Sequence, residues 1–242
     1  MLKLTEKDIV LFSGDSITDG NRGHCMDCNH IMGHGYQTGV ASALALENAA
    51  AMPKFINKGY SGATMHDLLN KWDADVLQNR PTLLSLLIGT NDCTQGVLRG
   101  LSAEEIAAKY RAAVQEGIDR TREVCGDLRI VLCEPFYFPL DRSDLSYRFT
   151  PHPDCEGPFG RPDRNDTDDL VNARVQAMEL VQTAAAELAA KNHCVFVPLR
   201  ERFENMFKQS KREYFIWDGT HPTIAGHALI AKAWLEEAGK QL

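Results

Sequence analysis

Two stretches of this chain are almost uninterrupted apolar residues: 82–88, read as TLLSLLI, and Arg129–Cys133, read as RIVLC. Strands of that character must be covered on both faces, as in a parallel sheet with helices above and below. Residues 8–12, 54–57 and 194–198 form three further short strand-like runs. Helical spacing fills the intervals. Residues 64–77 set Met65, Leu68, Leu69, Trp72 and Val76 along one stripe. Ser102-Ala-Glu-Glu105 forms a capping box and opens a helix running to about Cys125. Residues 167–191 are long, Ala-rich and well patterned, with 175–190 purely a packing segment. A last helix starts near Pro222 and carries Ile224, Ala228, Leu229, Ala231 and Leu235. Arg200–Phe207 is a short helix, joined to the chain end by a polar stretch at 208–213. Strand–helix alternation repeated about five times predicts a three-layer α/β/α fold with a doubly wound sheet.

The chain has 242 residues, a normal length for one α/β domain, with no repeat and no internal boundary. One domain over 1–242 is expected, interrupted by a long segment at 136–165 rich in Pro, Arg, Asp and aromatics. Segments of that length read either as an active-site wall or as a surface excursion. A net charge of −7 without a basic stripe argues against a nucleic-acid partner. The first twelve residues, MLKLTEKDIVLF, lack a signal-peptide h-region, and no window nears the roughly 18 apolar residues of a membrane span. Seven cysteines are scattered along the chain, five of them (Cys93, Cys125, Cys133, Cys155, Cys194) in or beside apolar stretches or helices. They read as free thiols in a reducing, cytoplasmic setting.

In a doubly wound sheet, ligands gather at the carboxyl ends of the strands. The residues that follow the strands are Gly14-Asp15-Ser16, then Asn57-Lys58-Gly59-Tyr60-Ser61-Gly62, then Gly89-Thr90-Asn91-Asp92, then Glu134-Pro135. Trp217-Asp218-Gly219-Thr220-His221-Pro222 precedes the last helix. Together they supply the parts of an acyl-transfer site. Ser16 is a nucleophile only if a base takes its proton, and His221 titrates nearest working pH. Asp218, three residues earlier, can hold the His221 Nδ1–H and fix the tautomer. The backbone N–H of Ser16, that of Gly62 and the side-chain amide of Asn91 can serve as oxyanion donors. Gly62 suits that task because a residue without Cβ lets substrate approach the backbone.

These blocks, "GDS", "NKGYSG", "GTND" and "DGTHP", resemble the four blocks of the SGNH hydrolases, the GDSL-type esterases and lipases, in order and across nearly the whole chain. The resemblance implies a flavodoxin-like, five-stranded parallel sheet, a Ser16–His221–Asp218 triad, and an oxyanion hole of Ser16, Gly62 and Asn91. Ile17 stands where the family name has Leu, a conservative change. The longer matches "SGDSITD", "NKGYSGATMHDLLNKWDADV", "LLIGTNDC", "EPFY" and "WDGTHPTIAGH" are similar to the intracellular acetylxylan-esterase branch. That branch deacetylates xylo-oligosaccharides, and some of its members form ring-like oligomers; residues 140–165 depart from its short form. The expected substrate is therefore a small-molecule ester, an acetylated saccharide. A homo-oligomer and no cofactor or metal are expected with it. A lipid acyl hydrolase is the alternative, and a non-catalytic carbohydrate-binding protein a third reading.

Trp217, beside the triad, can stack on a sugar, line an acyl pocket or sit in the core; Tyr60 and Asp15 join it as candidate substrate contacts. Asp15 and Asp19 also read as local caps of backbone amides, and Asp92 as a brace for its loop. Tyr36 and Trp72 are lesser aromatic candidates. His66, His193 and His227 read as surface or packing histidines. The stretch His24-Cys25-Met-Asp-Cys28-Asn-His30, with His34 beyond, has one C-x-x-C and no second pair; it reads as a pocket-rim loop with free cysteines. Gly33–Gly39 has its third glycine one place too late for a dinucleotide loop, and no strand precedes it. No Walker A and no G-x-S-x-G elbow occurs, which argues against the α/β-hydrolase fold.

Overall fold

The computed structural model describes residues 2–23, 30–126, 128–139 and 167–241. Five strands form one parallel sheet: β1 (Ile9–Gly14), β2 (Lys54–Gly59), β3 (Leu83–Leu87), β4 (Arg129–Cys133) and β5 (Val195–Val197). Their order is β2-β1-β3-β4-β5, the flavodoxin-like arrangement expected of the chain. The flanking helices are α1 (Ser16–Asp19), α2 (Tyr36–Glu47), α3 (Met65–Leu69), α4 (Thr90–Leu98), α5 (Ala103–Cys125), α6 (Asp168–Lys191), α7 (Arg200–Phe207) and α8 (Ile224–Gln241).

Period-two alternation divides the strand residues between two cores. Leu11, Leu84, Leu86, Ile130 and Leu132 face one side, where α3, α5 and α6 cover them with Met65, Trp72, Tyr110, Val114, Met178 and Val181. Val10, Phe12, Leu83, Leu87, Val131 and Val195 face the other, covered by α2, α7 and α8 with Tyr36, Phe203 and Trp234. Ser85 interrupts the apolar run of β3 on that second face. Its hydroxyl accepts the Trp234 indole N–H at 2.9 Å, so the one polar residue in the strand is bonded. Tyr36 and Trp72, the lesser aromatic candidates, are therefore core residues, fully buried.

Helix ends follow local chemistry. The Ser102 hydroxyl accepts from Glu105 N while the Glu105 carboxylate accepts from Ser102 N, the expected capping box at α5. Thr167 caps α6. The expected helix over 64–77 is broken instead: α3 ends at Leu69, and a wider π turn spans Asp73–Leu77. Trp72 sits at the break, its indole N–H donating 2.9 Å to the Thr121 hydroxyl on α5, which in turn donates to Gly117 O. The apolar stripe is real, but docking of this large ring against α5 overrides helical continuity. Sequence patterning marks neither α2 nor α4, and Asn91 and Asp92, read as loop residues, lie in the first turn of α4. The glycine-rich segment 33–39 carries the start of α2, whose first amide, Tyr36 N, donates to Nδ1 of His227 on α8 at 3.1 Å.

No helix of the described residues is long and apolar enough to cross a membrane. Most of the 136–165 segment, together with Cys25, Cys28 and Cys155, lies outside the described residues.

Candidate active site

Strand register brings the three oxyanion candidates to one edge. Gly14, the last residue of β1, pairs with Gly59 of β2 and with Leu87 of β3. Ser16 follows the first strand by two residues, Gly62 follows the second by three, and Asn91 the third by four. A Cβ on Gly14 would lie 2.3 Å from both Leu87 O and Thr18 Oγ1, so only glycine lets β1 turn so tightly into α1. Asp15 caps that one-turn helix by accepting from Ile17 N at 3.0 Å, which leaves Ser16 as its first residue.

The Ser16 hydroxyl lies 2.8 Å from Nε2 of His221, and Nδ1 of His221 lies 2.6 Å from Oδ2 of Asp218. Asp218 Oδ1 also accepts from Thr220 N at 2.9 Å and His221 N at 2.6 Å. Burial alone would raise the Asp218 carboxyl, but the bonds to His221 and Thr220 hold it below the usual carboxylate range. Burial alone would lower His221; its bond to Asp218 and the charges of Asp218 and Asp15 outweigh that and raise it above 6.5. The loop itself is pinned: Phe138 N donates to Gly219 O at 2.8 Å, and Ile216 bridges Pro222. Gly219 adopts φ +94°, where a Cβ would press to 3.0 Å from Phe138 O.

Gly62 is exposed at φ +80°, with open space where a Cβ would point. Its turn is tied to the end of β1 by Tyr60 N donating to Gly14 O at 2.9 Å. Neither Ser16 N nor Gly62 N donates to an acceptor among the described residues. The Asn91 amide spends one N–H on Ala63 O at 3.1 Å and has a second to offer. Asp92 lies in α4 and not in a loop, and it braces the start of α3, accepting from Met65 N with both oxygens at 3.1 Å. Burial pushes the Asp92 carboxyl up to about 7.

Of the two acids read as local caps, Asp15 keeps that role and Asp19 does not. Asp15 is 1% exposed and accepts from Ile17 N, so of its two readings, local cap and substrate contact, the structure bears out the cap. Burial pushes its carboxyl up to about 6. Asp19 pairs with Arg22 at 3.6 Å instead of capping an amide. Tyr60 is half-buried, its hydroxyl donating to Asp75 at 2.7 Å and its ring holding Arg22 and Lys71 each 5.2 Å from the centroid. Trp217, by contrast, is 38% exposed and stacks on His221, centroids 6.0 Å apart. His227 is a packing residue, as read; burial drives it down to about 4, so its ring stays neutral and its Nδ1 free to accept from Tyr36 N.

Sequence reasoning missed two residues around the site. The Asn57 amide donates to Thr18 O at 2.8 Å and Met32 O at 2.9 Å and accepts from Gly59 N at 2.8 Å, locking β2 to the nucleophile turn. Gln95 donates to Gly62 O at 3.1 Å. No spacing rule marks either, because their partners are backbone atoms far along the chain. Among the described residues no group of three His, Cys, Asp or Glu could hold a metal ion.

The sequence model of the GDSL-like lipase/acylhydrolase family matches residues 12–229. An acetylxylan esterase of Geobacillus stearothermophilus is 27% identical over 242 residues, covering 98% of this chain and 97% of the relative. A Parabacteroides merdae protein described as a GDSL-like lipase superposes with TM-score 0.77 at 27% identity, over 98% of each chain. A crystal structure of a G. stearothermophilus acetylxylan esterase superposes with TM-score 0.74 at 24% identity, over 98% of this chain and 97% of the other.

Proposed function

The chain belongs to the GDSL-like lipase/acylhydrolase family and is a carboxylic ester hydrolase, and from that premise we propose that Ser16, His221 and Asp218 cleave small acyl esters through an acyl-enzyme. The observation that carries the reading is the unbroken line from Ser16 Oγ through both ring nitrogens of His221 to Asp218, with contacts of 2.8 and 2.6 Å. Ser16 Oγ attacks the ester carbonyl carbon while His221 Nε2 takes its proton. The tetrahedral oxyanion is held by Ser16 N–H, Gly62 N–H and the second N–H of Asn91. Collapse breaks the bond to the alkoxy oxygen, which leaves with the proton from His221. Water then attacks the acyl-enzyme, losing a proton to His221, and Ser16 leaves with that proton. Asp218 keeps Nδ1 protonated throughout and stabilises the imidazolium.

The acyl group of this proposal is acetyl and the alcohol a carbohydrate, as in acetylated xylo-oligosaccharides. The exposed Trp217 ring beside His221 offers a flat apolar face of the kind on which sugar rings pack. A cytoplasmic location and assembly into a homo-oligomer belong to the same proposal; buried free thiols at Cys93, Cys133 and Cys194 fit a reducing compartment. Nitrophenyl esters of increasing chain length test the acyl group. Acetate should be cleaved best. A preference for chains beyond about six carbons transfers the assignment to lipid acyl hydrolysis, since each buried CH₂ is worth roughly 0.8 kcal/mol. Acetylated xylo-oligosaccharides, followed by acetate release, test the alcohol, and light scattering after size-exclusion chromatography tests the assembly.

A further inference from the structure

Gly62 has nothing packed where a side chain would be, and glycine is the residue with most backbone freedom. A donor of that kind is useful only if something else holds its peptide still, because preorganisation is what gives an oxyanion donor its effect. The Gly62 N–H belongs to the Ser61–Gly62 peptide, and three side chains of α4 anchor the backbone that follows it. Asn91 donates to Ala63 O at 3.1 Å, Asp92 accepts from Met65 N at 3.1 Å, and Gln95 donates to Gly62 O at 3.1 Å. Among the described residues Gln95 alone bonds to Gly62, at the carbonyl of the Gly62–Ala63 peptide next to the donor peptide. One turn further along, Arg99 Nη2 donates to Gln95 Oε1 at 3.1 Å. An arginine can only donate, so it fixes which end of the Gln95 amide is which. With Oε1 turned to Arg99, Nε2 must face Gly62 O.

We infer that Gln95 is a positioning residue for the oxyanion donor Gly62, and that Arg99 sets the orientation of its amide. The inference rests on the reading of Gly62 as an oxyanion donor. Gln95 fixes ψ of Gly62 and so the pose of the adjoining turn, without touching the reacting atoms. Arg99 and Gln95 also line a cavity of about 480 Å³ together with Thr64, His66, Asp67 and Asp92, so the outer side of this clamp is open to replacement without disturbing the core.

The experiment compares the wild type with Gln95→Ala, Arg99→Glu, their double variant and Asn91→Ala. Readouts are kcat and KM for 4-nitrophenyl acetate, inhibition by phenylboronic acid as a tetrahedral serine adduct, and melting temperature. Gln95→Ala should lower kcat and boronate affinity together, by about tenfold, with KM little changed. Arg99→Glu would accept from Gln95 Nε2 and turn Oε1 toward Gly62 O, giving a loss in the same direction. The double variant should be no worse than Gln95→Ala alone, because Arg99 acts only through Gln95. Unchanged kcat in Gln95→Ala, a loss that appears in KM alone, or additive losses in the double variant overturn the inference. If Asn91→Ala loses about a hundredfold while Gln95→Ala loses nothing, the oxyanion hole stands and only the role of Gln95 falls. If Asn91→Ala also loses nothing, the oxyanion assignment falls and takes this inference with it.

Discussion

Asparagine at position 218 changes one atom of the carboxylate, and the consequence is set by which atom it is. Oδ1 accepts two backbone amides, Thr220 N at 2.9 Å and His221 N at 2.6 Å, so the amide oxygen of Asp218→Asn takes that place. The amide NH₂ then faces Nδ1 of His221, where Oδ2 stood 2.6 Å away. Two donors cannot share that contact, so Nδ1 must give up its proton and Nε2 must carry one. Nε2 is the atom 2.8 Å from Ser16 Oγ, and once protonated it cannot take the serine proton. The expected loss in kcat is about 10⁴-fold, or about 5 kcal/mol of barrier. Melting temperature should move little by comparison. The pH profile carries a second signature. His221 must be neutral to act, so kcat/KM should rise with pH through its pKa, which in the wild type lies above 6.5 because of Asp218 and Asp15. Without the Asp218 charge the midpoint must move down. The assay is 4-nitrophenyl acetate hydrolysis between about pH 5 and about pH 9. A variant within about tenfold of wild type, with an unmoved midpoint, refutes the role given to Asp218.

Further outcomes follow from single contacts. Ser16→Ala should abolish both turnover and labelling by an organophosphonate while leaving the fold intact; surviving turnover ends the nucleophile assignment. Gly59→Ala would place a Cβ 2.2 Å from Asp19 N, forcing β2 away from the nucleophile turn at a cost of about 3 kcal/mol, seen as a melting point lowered by about 6–12 °C. Trp72→Phe removes the buried donor to Thr121 and should cost about 2 kcal/mol in urea unfolding. His227 resists protonation when folded, at about 4 against 6.5 when unfolded, so the unfolded chain binds more protons between those values and stability falls as pH drops through that window. His227→Gln should flatten the fall in melting temperature there, measured by calorimetry; an unchanged slope argues against a neutral buried ring.

β3 and β4 were legible because each is an apolar run that alternates between two covered faces, and α5 because Ser102 and Glu105 announce its start. Ser16, Asp218 and His221 were legible as residue types in short fixed spacings at strand ends, and the structure brings all three together. What stayed hidden depends on partners far along the chain. Helix α2 begins in a glycine-rich segment and borrows its cap from His227, 191 residues away. Helix α4 follows Gly89, which adopts φ +134° and offers no side-chain cap. The break after Leu69 follows from a tryptophan docking on α5, which no stripe of apolar residues reveals. Asn57 and Gln95 bond to backbone carbonyls, and any residue has those. Asp15 reads from sequence both as a local cap and as a substrate contact; its bond to Ile17 N matches the cap, while its burial is something spacing does not report.

The Ser16–His221 contact joins residues 205 positions apart. A growing chain therefore carries its nucleophile long before its base. At about 5–20 residues per second, synthesis leaves Ser16 without His221 for roughly 10–40 s. The same late residues supply α8, whose Trp234 packs 6.1 Å from Phe12 and reaches Ser85. Until they emerge, that face of the sheet lacks the part of its cover that α8 adds to α2 and α7. On the proposed mechanism, a nascent chain should therefore show no ester cleavage until the His221 segment has joined the sheet.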